Sequence, residues 1–302
     1  MRPIHLAGTL ALALIWGASF MLVAVLVREL SPLAIAWSRL GGGAAVILAL
    51  ATVRGASIPR SRAFWGHVTV LAVFASTLPF VLIPLGQRDV PSNLAAILNA
   101  SVPIWTGTFA YALLPNERLS RTRVAGLALG FIGVAAVISR DGLMLDGAAL
   151  RGQLAILGAA ACYGIGAVYF RRYLVGRDST FIAGSQSAIG FVLITPVMIA
   201  AGATPDPSRL ATETILAALA LAFLCSGIAI VIYYWLLREV TAAQATTSTY
   251  LIPISAIAWG WLVLGERLTW TVLPGLALII LGVWLLNRPA PTPAIAAAEA
   301  PR

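Results

Sequence analysis

The sequence is poor in charge: only 10% of its 302 residues are charged, against 60% hydrophobic. Soluble globular domains carry about 25% charged residues, so this balance excludes an ordinary soluble core. Lysine is missing altogether and every basic side chain is arginine. The base composition of a GC-rich genome accounts for that bias, and no function is drawn from it. Cys162 and Cys225 both sit in apolar runs, far from any metal-ligand spacing, so small-residue packing explains them better than a disulfide or a ligand role. His5 and His67 lie near the ends of apolar runs, where plain interfacial residues are expected. No acid falls in the interior of an apolar run, which removes the groups that intramembrane proteolysis by paired carboxylates or a metal requires. A P-loop, a glycine fingerprint and a nucleophile with its base are also missing, so neither an enzyme nor a bound cofactor is expected.

What the chain has is hydropathy, with a mean of +0.93. Its net charge of +9 would suit a nucleic-acid partner only if the arginines formed a continuous face. They are scattered singly between apolar runs instead, as in a membrane protein with a positive inner side. About 20 apolar residues at 1.5 Å each cross the hydrocarbon core. Ten such runs can be marked: 5–27, 32–53, 63–86, 91–114, 122–139, 152–170, 179–201, 212–237, 242–265 and 270–287. Runs this long without period-two alternation form helices, because backbone groups in lipid must bond within their own segment. The expected fold is all-α integral membrane, with ten transmembrane helices. The opening MRPIH leads into an apolar run without a small-residue cleavage site, so it reads as a first spanning helix. Arginine counting favours both termini inside: Arg2, Arg54, Arg60, Arg62, Arg118, Arg121, Arg123, Arg171, Arg172, Arg177, Arg238 and Arg288 against Arg28, Arg88, Arg140, Arg151, Arg209 and Arg267.

The chain also repeats itself. NASVPIWTGTFAYALLPNERLSRTRVAGLALGFIG, from Asn99 to Gly133, returns as TYLIPISAIAWGWLVLGERLTWTVLPGLALIILG, from Thr249 to Gly282. The match pairs Pro103 with Pro253, Glu117-Arg118-Leu119 with Glu266-Arg267-Leu268, Gly126 with Gly275 and Gly133 with Gly282. Arg88-Asp89-Val90 similarly echoes Arg238-Glu239-Val240, and Trp16-Gly17 loosely echoes Tyr163-Gly164. Five helices per half is odd, so the second half must enter from the opposite face. The expected organisation is two inverted five-helix repeats, 1–140 and 141–288, followed by a Pro/Ala-rich tail, 289–302, expected to be disordered.

Polar residues in lipid are costly unless they face protein or water. The fourth run carries Asn93, Asn99 and Ser101; the ninth carries Gln244, Thr246, Thr247, Ser248, Thr249 and Tyr250. Each run then meets a proline, which leaves the carbonyl four residues earlier without its donor: Asn99 for Pro103 and Thr249 for Pro253. These are either ordinary kinks or the centre of a site for an ammonium or hydroxyl group. Trp16 and Phe20 share a helix face, and Phe80, Tyr163 and Tyr233 or Tyr234 lie at comparable depth, as lipid-facing side chains or as walls for an aromatic body. Arg39 is the one charge well inside a run; it either holds a substrate carboxylate or snorkels to the helix end. Glu117 and Glu266 stand at helix ends, as surface pairs or as a gate between halves. Gly126, Gly130 and Gly133 with Gly275 and Gly282 read as close helix packing. The candidate substrate-binding set is thus Trp16, Phe20, Phe80, Asn99, Tyr163, Tyr234, Gln244, Ser248 and Tyr250. Arg39, Glu117 and Glu266 are the candidate gate or anion contacts, and Pro103 and Pro253 the kinks.

The motifs Trp16-Gly17-Ala18-Ser19-Phe20, Arg39, Asn93 to Asn99, Pro103 and Glu117-Arg118-Leu119, with their second-half counterparts, resemble the ten-helix EamA-type exporters of the drug/metabolite transporter superfamily. The likeness extends over residues 5–288. Leu114-Pro115-Asn116-Glu117 departs from it, since the family has Leu-Gly-Glu there. The resemblance implies a multi-pass bacterial inner-membrane exporter with both termini cytoplasmic and a cavity lined by helices 1, 3, 4, 6, 8 and 9. Aromatic amino-acid export is the preferred match. The expected partners are a small-molecule substrate and the lipid bilayer, without nucleic acid, for a protein acting as a monomer. Another cargo on the same fold, a multidrug or nucleotide-sugar-like one, is the alternative, with a non-transporting scaffold or enzyme behind it.

Overall fold

The computed structural model describes residues 2–56, 58–114, 120–141, 147–239, 247–267 and 270–287, with backbone only at 139–141, 234, 237–238, 247–250 and 271. Among these residues there is no strand. The helices are α1 (Pro3–Leu26), α2 (Pro32–Val53), α3 (Arg62–Gly86), α4 (Ser92–Asn99), α5 (Val102–Leu113), α6 (Arg121–Asp141), α7 (Gly147–Tyr173), α8 (Ser179–Ala200), α9 (212–239), α10 (Thr247–Leu264) and α11 (Leu273–Leu286). Seven of the described helices are long and apolar enough to cross a bilayer, α1 to α3 and α6 to α9, and the segments Leu251–Leu264 and Leu273–Leu286 are shorter apolar ones.

Local chemistry sets the helix ends. Ser31 and Asp178 cap α2 and α8, their side chains accepting from Ala34 N–H and from Thr180 and Phe181 N–H. Pro32 then occupies the first turn of α2, where its missing N–H costs nothing. The fourth apolar run is divided, because Pro103 stands in the first turn of α5 and cannot donate to Asn99. Ser101 finishes α4 by donating from its N–H (3.1 Å) and its hydroxyl (2.6 Å) to the Leu98 carbonyl. The ninth run behaves differently, since α10 continues through Pro253. The sixth run begins earlier than its hydropathy suggests, at Gly147, and the tenth opens with a short 3-10 turn, Trp270–Val272.

Two helices widen into π-helix midway, α3 at Val73–Thr77 and α9 at Ala220–Ile228. Such bulges concentrate at functional sites because they re-aim side chains without ending the helix.

The packing is of small residues against backbone. α6 lies along α11, where a Cβ on Gly126 would come 2.8 Å from the Gly282 carbonyl and one on Gly133 2.8 Å from the Gly275 carbonyl. α1 approaches α10 so closely that a Cβ on Gly17 would sit 2.7 Å from Ser255 Cβ, while a Cβ on Gly164 of α7 would meet Trp105 and Thr106 of α5 at 2.9 Å. α2 packs along α8 and against the π-helical stretch of α9. Ile97, Leu98, Val137 and Ile279 fill the core between α4, α6 and α11, and Val23, Leu26, Ile35 and Leu221 the one between α1, α2 and α9. Leu14, Val192 and Leu262 are among the large apolar side chains left exposed on the outside of the bundle.

Candidate functional site

A cavity of about 380 Å³ lies inside the bundle, within the range of about 300–1,000 Å³ typical of small-molecule sites. Its walls bring together Trp16, Phe20, Arg39, Phe80, Asn99, Tyr163 and Pro253, all expected from the sequence. Tyr233 also lines it; the side chain of Tyr234 lies outside the described residues. Gln244 and Glu117 lie outside the described residues, as do the side chains of Ser248 and Tyr250. Pro103 is not on the wall, although its neighbour Val102 is.

Arg39 dominates the site electrically. It is 7% exposed, and its Nε donates to Ser226 Oγ at 3.1 Å. Its guanidinium carbon lies 3.9 Å from the centroid of the Phe80 ring, a cation–π stack. Among the described residues no carboxylate pairs with it. The outward-snorkelling alternative is therefore replaced by an inward geometry, in which the side chain turns into the cavity.

The aromatic wall is held by hydrogen bonds and ring contacts. Trp16 Nε1 donates to the Cys225 carbonyl at 3.3 Å, a carbonyl on the π-helical stretch of α9. The Trp16 and Tyr233 rings are 5.5 Å apart and tilted by 52°. At the end of α4, Asn99 has a buried Oδ1 without a hydrogen-bond partner. Its backbone carbonyl, deprived of a donor by Pro103, adds a second acceptor at the same break. The other polar residues picked out in the fourth run, Asn93 and Ser101, do not line the cavity; the Asn93 backbone N–H donates to Glu266 and the Ser101 hydroxyl bonds back to the Leu98 carbonyl.

Two helices that the resemblance left out of the wall belong to it, the second and the seventh of the ten apolar runs, which are α2 and α8. α2 contributes Arg39 and Ile47, and α8 contributes Ala183, Gln186 and Ser187. Gln186 Nε2 donates to Ser76 Oγ at 3.0 Å, and Ser76 sits on the π-helical stretch of α3. Sequence reasoning missed Gln186, Ser76 and Ser226. The available signal was their place in the repeat, since Ser76 and Ser226 occupy matching positions in the two halves.

Glu266 lies away from the cavity. Its carboxylate accepts from Ser92 N–H (2.8 Å), Ser92 Oγ (2.9 Å) and Asn93 N–H (3.1 Å) at the start of α4. The two histidines are more engaged than interfacial residues need be. His5 is buried, with Nε2 3.8 Å from Glu239 Oε2, and His67 Nδ1 is 2.8 Å from the Tyr169 hydroxyl. Neither cysteine is in a disulfide. A larger, mostly apolar groove of about 610 Å³ lies between α2, α8 and α9, lined by Trp37, Ser38, Phe191 and Phe223 among others, and its Ser38 hydroxyl donates back to the Ile35 carbonyl of its own helix.

A buried cation, an aromatic wall and a broken helix thus meet around one cavity inside a bundle of apolar helices. The EamA-like transporter family model matches the sequence twice, over residues 4–139 and 150–288. The chain belongs to the EamA-like transporter family. Individual relatives in this family agree along their length. The uncharacterized transporter YoaV of Bacillus subtilis is 22% identical over 92% of this chain and 94% of its own. The uncharacterized inner membrane transporter YedA of Escherichia coli K12 is 27% identical over 92% of this chain and 88% of its own. A protein of known crystal structure shares the fold, with a TM-score of 0.65 at 19% identity, over 95% of this chain and 98% of that one. The protein is thus a membrane transporter of an EamA-like, all-helical fold.

Proposed function

We propose that this transporter exports neutral amino acids with aromatic side chains, and related metabolites, by alternating access at the central cavity. The observation that carries this reading is the buried Arg39, stacked on Phe80 and without a carboxylate partner among the described residues. An unpaired charge at such a site is costly, and a substrate carboxylate relieves the cost by a bidentate, charge-assisted pair. The ammonium group then has the Asn99 side-chain oxygen and freed carbonyl as acceptors, and the ring has Trp16, Phe20, Tyr163 and Tyr233 around it. A cationic drug would meet Arg39 with like charge. A nucleotide sugar would need more than one buried basic group.

We further propose ten membrane crossings arranged as inverted halves, 1–140 and 141–288, with both termini cytoplasmic; the tail 289–302 lies outside the described residues. In a two-fold arrangement, if residue i touches the mate of j, then j touches the mate of i. The glycines support this. Gly126, the mate of Gly275, faces Gly282, while Gly133, the mate of Gly282, faces Gly275. Gly17 on Ser255 and Ala256 is mirrored by Gly164 on Trp105 and Thr106 in the same crossed sense. Inverted halves are the architecture that opens one site to two compartments in turn. The inner-membrane location follows the relative YedA and the arginine bias.

Efflux of radiolabelled phenylalanine from proteoliposomes tests the reading. Flux is expected with the wild type and its loss with Trp16→Ala and Arg39→Gln. No wild-type flux of any aromatic amino acid would overturn it.

A further inference from the structure

Arg39 and Gln186 occupy the same position in two helices that begin alike. Each is the eighth residue beyond a side-chain cap, Ser31 for α2 and Asp178 for α8. Each donates to a serine hydroxyl in a π-helical stretch, Arg39 to Ser226 at 3.1 Å and Gln186 to Ser76 at 3.0 Å. The serines are themselves mates, so the two bonds cross between the halves as the glycine contacts do. All four side chains line the cavity. Four residues beyond each serine stand Phe80 and Ile230, also on the wall.

The cavity therefore has two poles built on one plan with different chemistry. One holds a guanidinium backed by an aromatic ring. The other holds a neutral amide, with isoleucine at the position corresponding to Phe80. We infer that Gln186 determines charge specificity, restricting the transporter to cargo with a single anionic group, which binds at Arg39 while a neutral hydrogen-bonding group faces Gln186. This rests on the cavity's being the transport site and names the class of cargo it accepts.

The argument is electrostatic. A second carboxylate on the cargo would lie against an amide and lose its hydration without gaining a counter-charge. Arginine at position 186 would supply that charge, with Ser76 in place to accept from it as Ser226 accepts from Arg39. Because the poles share a plan, exchanging their residues should move the cation and keep the preference for one charge. A merely structural glutamine would not give that pattern.

Binding of phenylacetate, a monoanion, and phenylsuccinate, a dianion, to purified full-length protein in detergent tests this by isothermal titration calorimetry, beside phenylalanine flux in proteoliposomes. The wild type should bind phenylacetate at least about tenfold more tightly than phenylsuccinate, given the cost of an unpaired buried charge. Gln186→Arg should reverse that order. Arg39→Gln should lose phenylacetate, and the double exchange Arg39→Gln with Gln186→Arg should recover it. If Gln186→Arg does not fold, the double exchange, which keeps one cation, carries the test. An unchanged ratio in Gln186→Arg, or a folded double exchange that stays blind to phenylacetate, overturns the inference. Wild-type binding in the expected order without flux overturns only the exporter reading, and binding of neither anion while phenylalanine flux persists overturns only the inference.

Discussion

Glu266 caps a helix that its own sequence leaves uncapped. Its carboxylate receives Ser92 N–H, Ser92 Oγ and Asn93 N–H at the start of α4, where Pro91 in the cap position supplies no side-chain acceptor. Free N–H groups and the positive end of the helix dipole favour an anion there. The cap ties the end of α10 to the start of α4, and so joins segments 174 positions apart. Glu266→Gln replaces one acceptor oxygen with a donor and removes the charge. It should cost about 1–3 kcal/mol, as expected for a charged hydrogen bond lost at a partly buried site. Thermal unfolding in detergent checks this, with Arg267→Ala as the exposed neighbour that should change little.

Gly260 makes room for that cap. A Cβ there would come 2.6 Å from Glu266 Oε2 and 3.1 Å from Ser92 Oγ. Gly260→Ala should therefore destabilise by about 1–3 kcal/mol through overpacking, despite alanine's better helix propensity. Gly66→Ala is the control, since a Cβ on Gly66 of α3 meets nothing within 4 Å and should leave stability unchanged or slightly raised.

The α6–α11 seam makes a sharper demand. Gly133→Leu must push a side chain into the Gly275 carbonyl and the Ile279 backbone, 2.8 Å from where its Cβ would be. Backbone cannot yield as a flexible side-chain tip can, so the helices should separate and the melting temperature fall by several degrees or more. The same reasoning applies to Gly126→Leu against Gly282. Melting curves and size-exclusion profiles of both variants check it, and retention of wild-type stability by either would show that the seam is looser than its contacts.

How much of this was legible in the sequence depends on whether a signal is local. Trp16 and Phe20 are four apart on one helix, so spacing alone puts them on the same wall. Pro103 announces a break because a missing N–H is a covalent fact. Gln186 has no comparable mark within FIAGSQSAIG, and only its distance from the Asp178 cap relates it to Arg39. Ser76 and Ser226 look like ordinary small residues until the π-helical stretches turn them inward. Their role is a relation between two halves, which no single window of sequence contains. The repeat reveals which residues are mates, but whether mates touch or face opposite ways is settled only by how the helices cross.

Phe80 offers a test of the Arg39 pole that leaves the charge in place. Its ring lies 3.9 Å from the guanidinium carbon, and a desolvated cation–π contact contributes up to about 2 kcal/mol. Phe80→Leu keeps the apolar volume and removes the ring quadrupole. Affinity for a carboxylate ligand should fall by about 3- to 30-fold, and Phe80→Tyr should retain most of it. Equal binding by Phe80→Leu and the wild type would mean that the ring serves as packing alone.

The placement of acids bears on the energy source. A proton relay through lipid normally needs a titratable residue at depth, most often a carboxyl. Among the described side chains, Glu29, Asp89, Asp178, Asp206, Glu213, Glu239 and Glu266 all lie at helix ends or in connecting turns. Arg39 and Gln186, two polar groups in the cavity, bond to serines, and among the described residues neither bonds to an acid. Export should therefore be driven by the substrate's own gradient and should persist when an ionophore dissipates the proton gradient across proteoliposomes loaded with phenylalanine. A collapse of flux under those conditions, with the substrate gradient still intact, would require a proton carrier among the residues at depth. Flux recorded with and without the ionophore at matched internal phenylalanine decides between the two.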